Sequence, residues 1–336
     1  MSNFRLIYLF FLIISLSFDP ILNAPQKLRY ILGSYTNPPL KLFGAIEAGG
    51  TKMVCAILNP FGNIVAETKI PTTTPDETVK KILDFFSIYK LSALGIGTFG
   101  PVDLNPNSPT YGSILNTPKL AWKGFNYINA FRSLNIPIGI DTDVNASCMG
   151  ETTFGDSKGL LNVIYVTIGT GIGVGILSEG KLVHGMMHPE GGHILIKKNE
   201  NDPGECICPY HKSCFEGLAS GPSILKRYGK PGNELFDDEK VWELEGEYIA
   251  QALVNYIMVL QPQRIILGGG VMHQENLFPI IRRKVAEKIN KYLLTKELEN
   301  LDNYIVPCSL DDTQGILGSF KIGLDKFNEE IGESDK

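Results

Sequence analysis

The sequence lacks an excess of positive charge. Among its 336 residues, Lys and Arg number 31 and Asp and Glu number 36, which gives a formal net charge of −5 at pH 7. Proteins that bind nucleic acid usually present a strongly basic surface, so this balance argues against a nucleic-acid partner. With 43% hydrophobic and 20% charged residues, the chain has ample apolar material for a core, which excludes disorder as its main state. This composition is typical of an enzyme that acts on small molecules.

An apolar run of the length of a confident membrane span, about 20 residues, is also lacking. Residues 7–17 form a shorter apolar run behind a single positive charge at Arg5, which resembles the apolar region of a secretory signal. Residues 1–41 therefore have three interpretations: a signal or anchor, an extension upstream of the working protein, or an additional folded element. The rest of the chain is typical of a cytoplasmic enzyme without stable membrane contact, so the fold is argued from residue 42 onward.

From residue 42 the chain alternates short apolar runs with glycine-rich turns, which predicts strands. Residues 42–47, 53–58 and 63–70 form one three-strand group, and residues 162–168, 173–177 and 181–184 form a second. Helices are expected at residues 75–89, 124–134, 144–154, 240–260, 274–294 and 314–327, and further strands at 93–98, 136–142, 264–267 and 304–307. Because each group is followed by helix and strand, we predict an internal duplication of α/β domains with a ligand between them.

Two of the turns between strands are rich in glycine and threonine. The first is Glu47-Ala-Gly-Gly-Thr-Lys52 and the second is Thr167-Ile-Gly-Thr-Gly-Ile-Gly173. Neither is a Walker A loop or a Rossmann fingerprint, because each joins two strands and does not open a helix. Glycine lets backbone N–H groups approach anionic oxygens, and threonine adds a hydroxyl donor.

A third glycine run follows a short strand and completes a predicted nucleotide site. The turns would hold phosphates and the third run would lie against a flat base. The predicted nucleotide-binding residues are Gly49, Gly50, Thr51, Lys52, Thr167, Gly169, Thr170, Gly171, Gly268, Gly269 and Gly270.

Two carboxylates, Asp141 and Asp143, stand where a predicted strand ends and a helix begins. Transfer of a phosphoryl group needs positioning, a metal on the phosphates and a carboxylate that takes the hydroxyl proton. Asp143 fits that role, although it is equally placed to cap the helix. Asp141 lies two residues earlier on an extended segment, faces a similar direction, and stays an alternative at this point.

A cluster of cysteine and histidine predicts a metal site. Cys208, His211 and Cys214 lie at three-residue spacing, and His193 comes from the preceding segment. Two thiolates and two imidazoles match a closed tetrahedral zinc site, for which we expect a structural role. Cys206 is a fifth candidate ligand. Cys55, Cys148 and Cys308 are scattered and are interpreted as core residues.

These motifs together resemble the ROK family, whose name stands for repressors, open reading frames and kinases, and within it the bacterial fructokinase branch. The resemblance covers residues 43–327 and includes Gly97-Thr-Phe-Gly-Pro-Val-Asp103, Asp141-Thr-Asp-Val-Asn145 and His188-Pro-Glu-Gly-Gly-His193. Most members have Asp where this chain has Glu47. The resemblance implies an α/β, two-domain actin-like ATPase (ribonuclease H-like) fold with a zinc-binding loop.

The same resemblance implies domain limits. Residues 43–140, completed by a C-terminal helix at 314–328, would form a small domain with the first phosphate loop and one wall of the sugar pocket. Residues 141–313 would form a large domain with the catalytic Asp, the zinc loop, the second phosphate loop and the adenosine loop. A homodimer is also expected on this ground.

The resemblance further implies site roles. Asp143 is expected to be the general base, and Gly100, Asn145, Glu190, His193 and Glu216 are expected to bind the sugar, with Asn145 alternatively placing Asp143. Asp103 would contact a hydroxyl or cap a turn. His184 and His188 are interpreted as loop residues, not ligands.

The implied activity is phosphorylation of a hexose by ATP with Mg²⁺, most simply D-fructose to D-fructose 6-phosphate. Glucokinase, mannokinase and N-acetylmannosamine kinase are alternatives. A sugar-responsive regulator is less favoured, because the residues before 42 are mostly apolar and lack a basic recognition helix. A catalytically inactive scaffold is disfavoured, because Asp143 and the three glycine runs are present.

Overall fold

The structure, a computed structural model, describes residues 41–334, and the interpretations of the N-terminal apolar run lie outside these residues. The strands in chain order are β1 Leu42–Ala48, β2 Lys52–Leu58, β3 Ile64–Pro71, β4 Leu91–Thr98, β5 Ile138–Thr142, β6 Val163–Ile168, β7 Ile172–Ser178, β8 Lys181–Leu182, β9 Arg264–Gly268 and β10 Ile305–Pro307. The α-helices are α1 Pro75–Phe86, α2 Tyr127–Phe131, α3 Asp143–Thr153, α4 Phe215–Ala219, α5 Gly221–Tyr228, α6 Glu239–Leu260, α7 Leu277–Ile289, α8 Lys296–Glu299, α9 Leu301–Tyr304 and α10 Gln314–Ser334.

The strands form two five-stranded sheets with the same strand order. The first sheet runs β3-β2-β1-β4-β5, and the second, taken from its hairpin end, runs β8-β7-β6-β9-β10. In each, the first three strands of the group pair antiparallel and the last two strands lie parallel to the first. This repeated order agrees with the duplication predicted from the two groups of strands and turns.

Two helices, α3 and α10, lie between the sheets. Helix α10 packs on β1, β4 and β5, helix α3 packs on β6 and β7, and the two helices contact each other extensively. Their backbones meet closely: a Cβ atom added to Gly318 of α10 would stand 1.6 Å from the carbonyl oxygen of Ala146 in α3. Helix α3 therefore has a fixed position between the two sheets, and the residue at its start is fixed with it.

Each sheet has its own apolar core. The inner residues of β6, β7 and β9 pack with α6 and α7, and those of β1, β2 and β4 pack with α1 and α2. Among residues 41–334, no helix combines the length and the apolar character needed to cross a membrane.

Three helices are shorter than predicted. The helix expected over residues 75–89 is α1, which ends at Phe86. The helix expected over residues 124–134 is α2, which begins only at Tyr127 because the Asn126 side chain caps it by accepting the N–H of Asn129. After Phe131 the chain continues as a 3-10 turn over residues 132–134. The helix expected over residues 274–294 is α7, which ends at Ile289 because Asn290 adopts a positive φ of 46°. The expected strands are present, and no strand end differs from its expected position by more than two residues.

Candidate active site

The first glycine turn joins β1 to β2. The N–H of Gly49 donates to the carbonyl of Lys52 at 3.1 Å, and the Thr72 hydroxyl donates to the carbonyl of Gly49 at 2.8 Å. A side chain at Gly49 would collide with the Lys52 carbonyl, since an added Cβ would lie 2.7 Å from that oxygen. The aliphatic end of Lys119 lies over Gly50, with Cε 2.8 Å from an added Cβ. No sequence signal pointed to Lys119.

The second glycine turn joins β6 to β7 and contacts the third glycine run. The N–H of Gly169 donates to the carbonyl of Gly171 at 2.9 Å. Gly269, in the third run, has a φ of 88°, and an added Cβ would lie 2.6 Å from the Ile168 carbonyl oxygen. Glycine is therefore required at this close approach, and the structure brings the second and third predicted runs together.

A cavity of about 650 Å³ opens beside these two runs, and we call it the glycine-loop cavity. Its walls include Gly169, Thr170 and Gly270, together with the aromatic rings of Phe236 and Trp242. Its volume is in the range of cavities that hold small molecules, and its lining of apolar side chains and exposed backbone suits a flat base beside phosphates.

A second cavity, of about 750 Å³, lies on the other side of the second turn, and we call it the central cavity. Asp143 and Gly173 line it from the α3 and β7 side, and Gly100, Pro101 and Asn116 line it from loops of the first sheet. The remaining functional candidates among its walls are His188, Glu190, His193, His211 and Glu216. Most of the residues predicted to bind a sugar thus face one space together with Asp143.

The two neighbouring carboxylates have different surroundings. Asp141 is 5% exposed, and its oxygens are occupied by the N–H of Thr142, the amide of Asn145 and the ring of His184. The Asp143 side chain bonds the N–H of Val144 at 2.9 Å and borders the central cavity. Thr142, not Asp143, caps α3 by accepting the N–H of Asn145. Of the two carboxylates, Asp143 is therefore the one that borders the central cavity.

Burial shapes the acidity of the site. Desolvation raises the pKa of Asp143 to about 6; the backbone N–H groups of Val144 and Asp143 oppose this rise, and the charge of Glu190 adds to it. Burial also raises the pKa of Glu47 to about 7, with a further rise from the charge of Asp143 and a decrease from Lys52. Asp143 can therefore exchange a proton near neutral pH.

Two predicted contacts with a sugar are occupied by other groups. Asn145 is fully buried; its amide donates to Asp141 at 2.7 Å and its oxygen accepts the N–H of Ile176 at 3.3 Å. This placement suits the alternative role, in which Asn145 fixes the start of α3. Asp103 accepts hydrogen bonds from the Ser108 and Thr110 hydroxyls, so its carboxylate organises a turn.

The four predicted metal ligands converge. One ligand atom from each of His193, Cys208, His211 and Cys214 lies within 4.8 Å of the others. The Cys208 sulfur is 3.3 Å from His211 Nδ1 and 3.9 Å from His193 Nδ1, and the Cys214 sulfur is 3.8 Å from His193 Nδ1. Sulfur and nitrogen ligands on a tetrahedral Zn²⁺ stand about 3.5 Å apart, so the set fits zinc.

Cys206 lies beside this cluster but outside the set of four. Its sulfur contacts the backbone carbonyl of His211 at 3.1 Å. Among the five candidate ligands, the four that converge therefore include His211 and not Cys206.

Glu216 connects the metal cluster to the second glycine turn. Its Oε2 accepts the N–H of Ile172 at 2.8 Å, and its Oε1 lies 3.9 Å from Nε2 of His193, whose Nδ1 faces the cluster. A carboxylate behind a metal-binding imidazole orients that ring. Glu216 therefore touches the turn, the cluster and the central cavity.

Two histidines that the sequence placed only in loops have defined contacts. His184 bonds Asp141 at 2.8 Å, and this contact raises the pKa of His184. His188 is 7% exposed, lines the central cavity and accepts a hydrogen bond from the N–H of Val102. The only sequence signal for His188 was its place in the His188-Pro-Glu-Gly-Gly-His193 motif.

Comparison with known proteins supports the same picture. The ROK family model matches residues 43–326. The fructokinase of Pediococcus pentosaceus is 45% identical over 278 residues, covering 82% of this chain and 96% of its own length. The fructokinase of Zymomonas mobilis is 40% identical over 299 residues, covering 86% of this chain and 98% of its own. The crystal structure of the ROK hexokinase from Thermus thermophilus matches with a TM-score of 0.70 at 20% identity, covering 86% of this chain and 99% of that one.

The two sheets have the same strand order, two helices lie between them, and glycine turns border them. These features define an α/β protein of the actin-like ATPase class. The fold expected from the resemblance is confirmed by its structural relatives. Within that class, the chain belongs to the ROK family.

Proposed function

We propose that the protein transfers the γ-phosphoryl group of ATP to a hexose, with D-fructose as the preferred acceptor and D-fructose 6-phosphate as the product. The observation that carries this proposal is the position of the second glycine turn. Gly169 and Thr170 line the glycine-loop cavity, whereas Glu216, bonded to the N–H of Ile172 at the end of the turn, lines the central cavity. Phosphates held at this turn would lie between a nucleotide and a sugar.

The glycine-loop cavity supplies the nucleotide site. The base lies against Gly270, Phe236 and Trp242, and the backbone of the second turn donates to phosphate oxygens. The first turn, at Gly49 to Lys52, faces the phosphates from the other sheet. Two such turns hold the chain of phosphates in one orientation, which is the main requirement of phosphoryl transfer.

Asp143 supplies the general base. Its ionised carboxylate takes the proton of the sugar hydroxyl as that oxygen attacks the γ-phosphorus, while the bond to the bridging oxygen breaks and ADP leaves. The raised pKa, about 6, leaves the carboxyl ionised at neutral pH and basic enough to accept the proton. Asp141 cannot substitute for it while His184 and Asn145 occupy its oxygens.

The central cavity supplies the sugar site. Glu190 and Glu216 accept hydrogen bonds from hydroxyl groups, and Gly100 leaves space along the opposite wall. Carboxylates distinguish the stereochemistry of hydroxyls, because a wrongly placed hydroxyl leaves a buried charge without its partner. The fructose preference follows from the fructokinase relatives; glucose, mannose and N-acetylmannosamine are the alternative acceptors.

Two metals have separate tasks in this proposal. Mg²⁺ would supply positive charge that offsets the negative charge developing during transfer, and Glu47, whose pKa is affected by the charge of Asp143, is the residue that would hold it through its carboxylate. Zn²⁺ held by His193, Cys208, His211 and Cys214 is structural, since all four positions are protein ligands. It would fix the loop that brings His193 and Glu216 to the sugar.

The assembly and the setting belong to the same proposal. From the resemblance we infer a homodimer, in which the lobes 43–140 and 141–313 of each chain close on the substrates. We infer a cytoplasmic location, which the consumption of ATP by the proposed reaction supports. The molar mass in solution, measured by light scattering, tests the dimer.

A coupled assay for ADP release tests the activity. Wild-type protein is given ATP, Mg²⁺ and one sugar at a time from fructose, glucose, mannose and N-acetylmannosamine. Fructose should give the highest kcat/KM, and Asp143→Asn should abolish turnover while nucleotide binding stays. A higher kcat/KM with another sugar would replace fructose as the substrate, and absence of ADP release with all four would overturn the proposal.

A further inference from the structure

His188 is a buried polar side chain in an otherwise exposed loop. Its ring is 7% exposed, whereas Met186, two residues earlier, is fully exposed. Burying an imidazole is costly unless its nitrogens have hydrogen-bond partners. The partners of His188 therefore indicate what the ring does in the central cavity.

The first partner belongs to the opposite wall. The N–H of Val102 donates to Nε2 of His188 at 3.2 Å. A backbone N–H is a donor only, so Nε2 must offer its lone pair, and the proton of the neutral ring resides on Nδ1. The contact joins residues 86 positions apart, from the loop after β4 and the loop after β8.

The second nitrogen faces acceptors. Nδ1 lies 3.5 Å from the carbonyl oxygen of Pro189 and 3.6 Å from Oε1 of Glu190. Both oxygens accept and neither donates, so each suits the Nδ1–H that the Val102 contact requires. The distances are longer than an ideal hydrogen bond, as is common in a site before its substrate closes it.

The ring also packs against the opposite wall through the edge that carries Cε1 and Nε2. A Cβ atom added to Gly100 would stand 3.2 Å from Cε1 and 3.4 Å from Nε2 of His188. That spacing is tighter than ordinary van der Waals contact, so glycine permits the approach. Val102 and Gly100 together hold one edge of the ring, and its other edge points to Glu190.

We propose that His188 is a positioning residue that joins the two walls of the sugar pocket and directs its Nδ1–H to Glu190. This inference deepens the proposed function and rests on it for the role of Glu190. On closure around the sugar, the Nδ1–H of His188, now 3.6 Å from Oε1 of Glu190, would orient that carboxylate as an acceptor for a sugar hydroxyl. His188 itself takes no proton from the substrate.

Three variants test the role by kinetics. His188→Phe keeps an aromatic ring but removes the hydrogen bond from Val102 and the Nδ1–H that faces Glu190, and it should raise KM for fructose about tenfold or more with KM for ATP within about twofold. His188→Gln offers an oxygen to Val102 and an N–H to Glu190, and it should recover most of the loss. Met186→Ala, in the same loop but fully exposed, is the matched control and should match wild type.

A double-mutant cycle with Glu190→Gln asks whether His188 acts through Glu190. If it does, the combined effect of His188→Phe and Glu190→Gln on KM for fructose should be smaller than the product of the two single effects. The proposal would be overturned if His188→Phe raised KM for ATP as much as KM for fructose. It would also be overturned if the two effects in the cycle were fully multiplicative.

A spectroscopic measurement separates this inference from the activity. Imidazole ¹⁵N shifts of labelled wild-type protein should show Nδ1 of His188 protonated and Nε2 unprotonated, the opposite of the tautomer that dominates in water. An Nε2–H tautomer would overturn the inference even in an active fructokinase. If no sugar is phosphorylated but the Nδ1–H tautomer is found, the contact with Val102 stands and the proposed function fails.

Discussion

Asp143 is placed at the first residue of α3, but burial outweighs the favourable helix terminus and raises its pKa to about 6. Only the ionised form accepts a proton, so kcat/KM for the sugar should fall about tenfold per pH unit below about pH 6. Asp143→Asn should lower kcat by about 10²- to 10⁴-fold. A steady-state pH profile checks both expectations, and a rate that stays flat down to about pH 5 would contradict the assignment.

The same burial predicts an effect on stability. The folded-state pKa of Asp143 lies above the value of about 3.9 in an unfolded chain, so the native state binds the proton more tightly. The ionised carboxylate therefore destabilises the fold above about pH 6, and this cost disappears as pH falls towards about 4. Asp143→Asn should raise the Tm by about 2 °C or more near pH 7.5, with a smaller gain near pH 5.

Asp103 provides a control for the Tm measurement, because the same Asp→Asn substitution there should change the Tm in the opposite direction. Hydrogen bonds from Ser108 and Thr110 lower the pKa of Asp103. The ionised carboxylate therefore stabilises the fold at any pH above the pKa of the unfolded chain. This stabilisation is lost as the pH falls through the lowered pKa of the folded state. Asp103→Asn should lower the Tm at neutral pH. A Tm gain in both variants would show that added neutral amides, and not the buried charge of Asp143, cause the effect.

Some site residues could be predicted from the sequence alone and others could not. The glycine turns and the Cys and His spacing predict loops and candidate metal ligands, because those motifs are local in the chain, and the four candidate ligand atoms converge in the structure. The neighbouring residues alone could not decide between Asp141 and Asp143 as the candidate base. The deciding contact comes from His184, 43 residues later in the chain, which bonds Asp141, whereas Asp143 borders the cavity. For the same reason no pattern predicted that Val102 would meet His188 across the site.

The packing of α3 against α10 depends on a backbone contact. An added Cβ on Gly318 would stand 1.6 Å from the Ala146 carbonyl oxygen, and both groups belong to rigid helices. Gly318→Ala should therefore destabilise the protein by about 3 kcal/mol or more and displace the start of α3. Gly332→Ala, on the same helix with open space around it, should cause no loss of stability. Denaturant unfolding compares the two variants, and equal stability would show that the helices can separate without cost.

The Cys and His cluster predicts a metal-dependent segment. Cys214→Ser should remove one zinc ion per chain and lower the Tm, although serine can still cap α4 by accepting the N–H of Gly217, as the Cys214 sulfur does. Elemental analysis and thermal unfolding measure the two effects. Cys206→Ser and Cys308→Ser are the controls, since neither residue belongs to the set of four. Loss of zinc in Cys206→Ser, with retention in Cys214→Ser, would reassign the ligands.

Strands were easier to predict than helix ends in this chain. A run such as residues 53–58, bounded by turn residues, has one plausible structure, and β2 occupies it. The C-terminus of α7 has no glycine or proline signal: it ends where Asn290 and Lys291 adopt positive φ angles of 46° and 61°. Such an end depends on the packing of the following segment, which a local pattern does not contain.

In the molecule as a whole, the site depends on parts from both halves of the duplicated fold. Gly100 and Val102 follow β4 of the first sheet, whereas His188, Glu190 and Glu216 come from the second half. A sugar bound in the central cavity, as proposed, would touch both sets, so its binding free energy would be added to the stability of the native state. Fructose at about 100 times its Kd should stabilise the protein by about 2.7 kcal/mol, which corresponds to a rise in Tm of about 5 °C or more.

Asp143→Asn is the form in which to measure this rise, because it should bind both substrates without turnover. Fructose should raise its Tm, the nonreacting pair of fructose and ATP should raise it further, and Glu190→Gln should reduce the rise with fructose but keep the rise with ATP. The Tm distinguishes binding from chemistry, since a sugar that binds but is poorly phosphorylated still stabilises the fold. If glucose shifted the Tm and fructose did not, the carboxylates of the central cavity would be selecting a different hydroxyl pattern, and the preferred hexose would have to be revised without revising the fold.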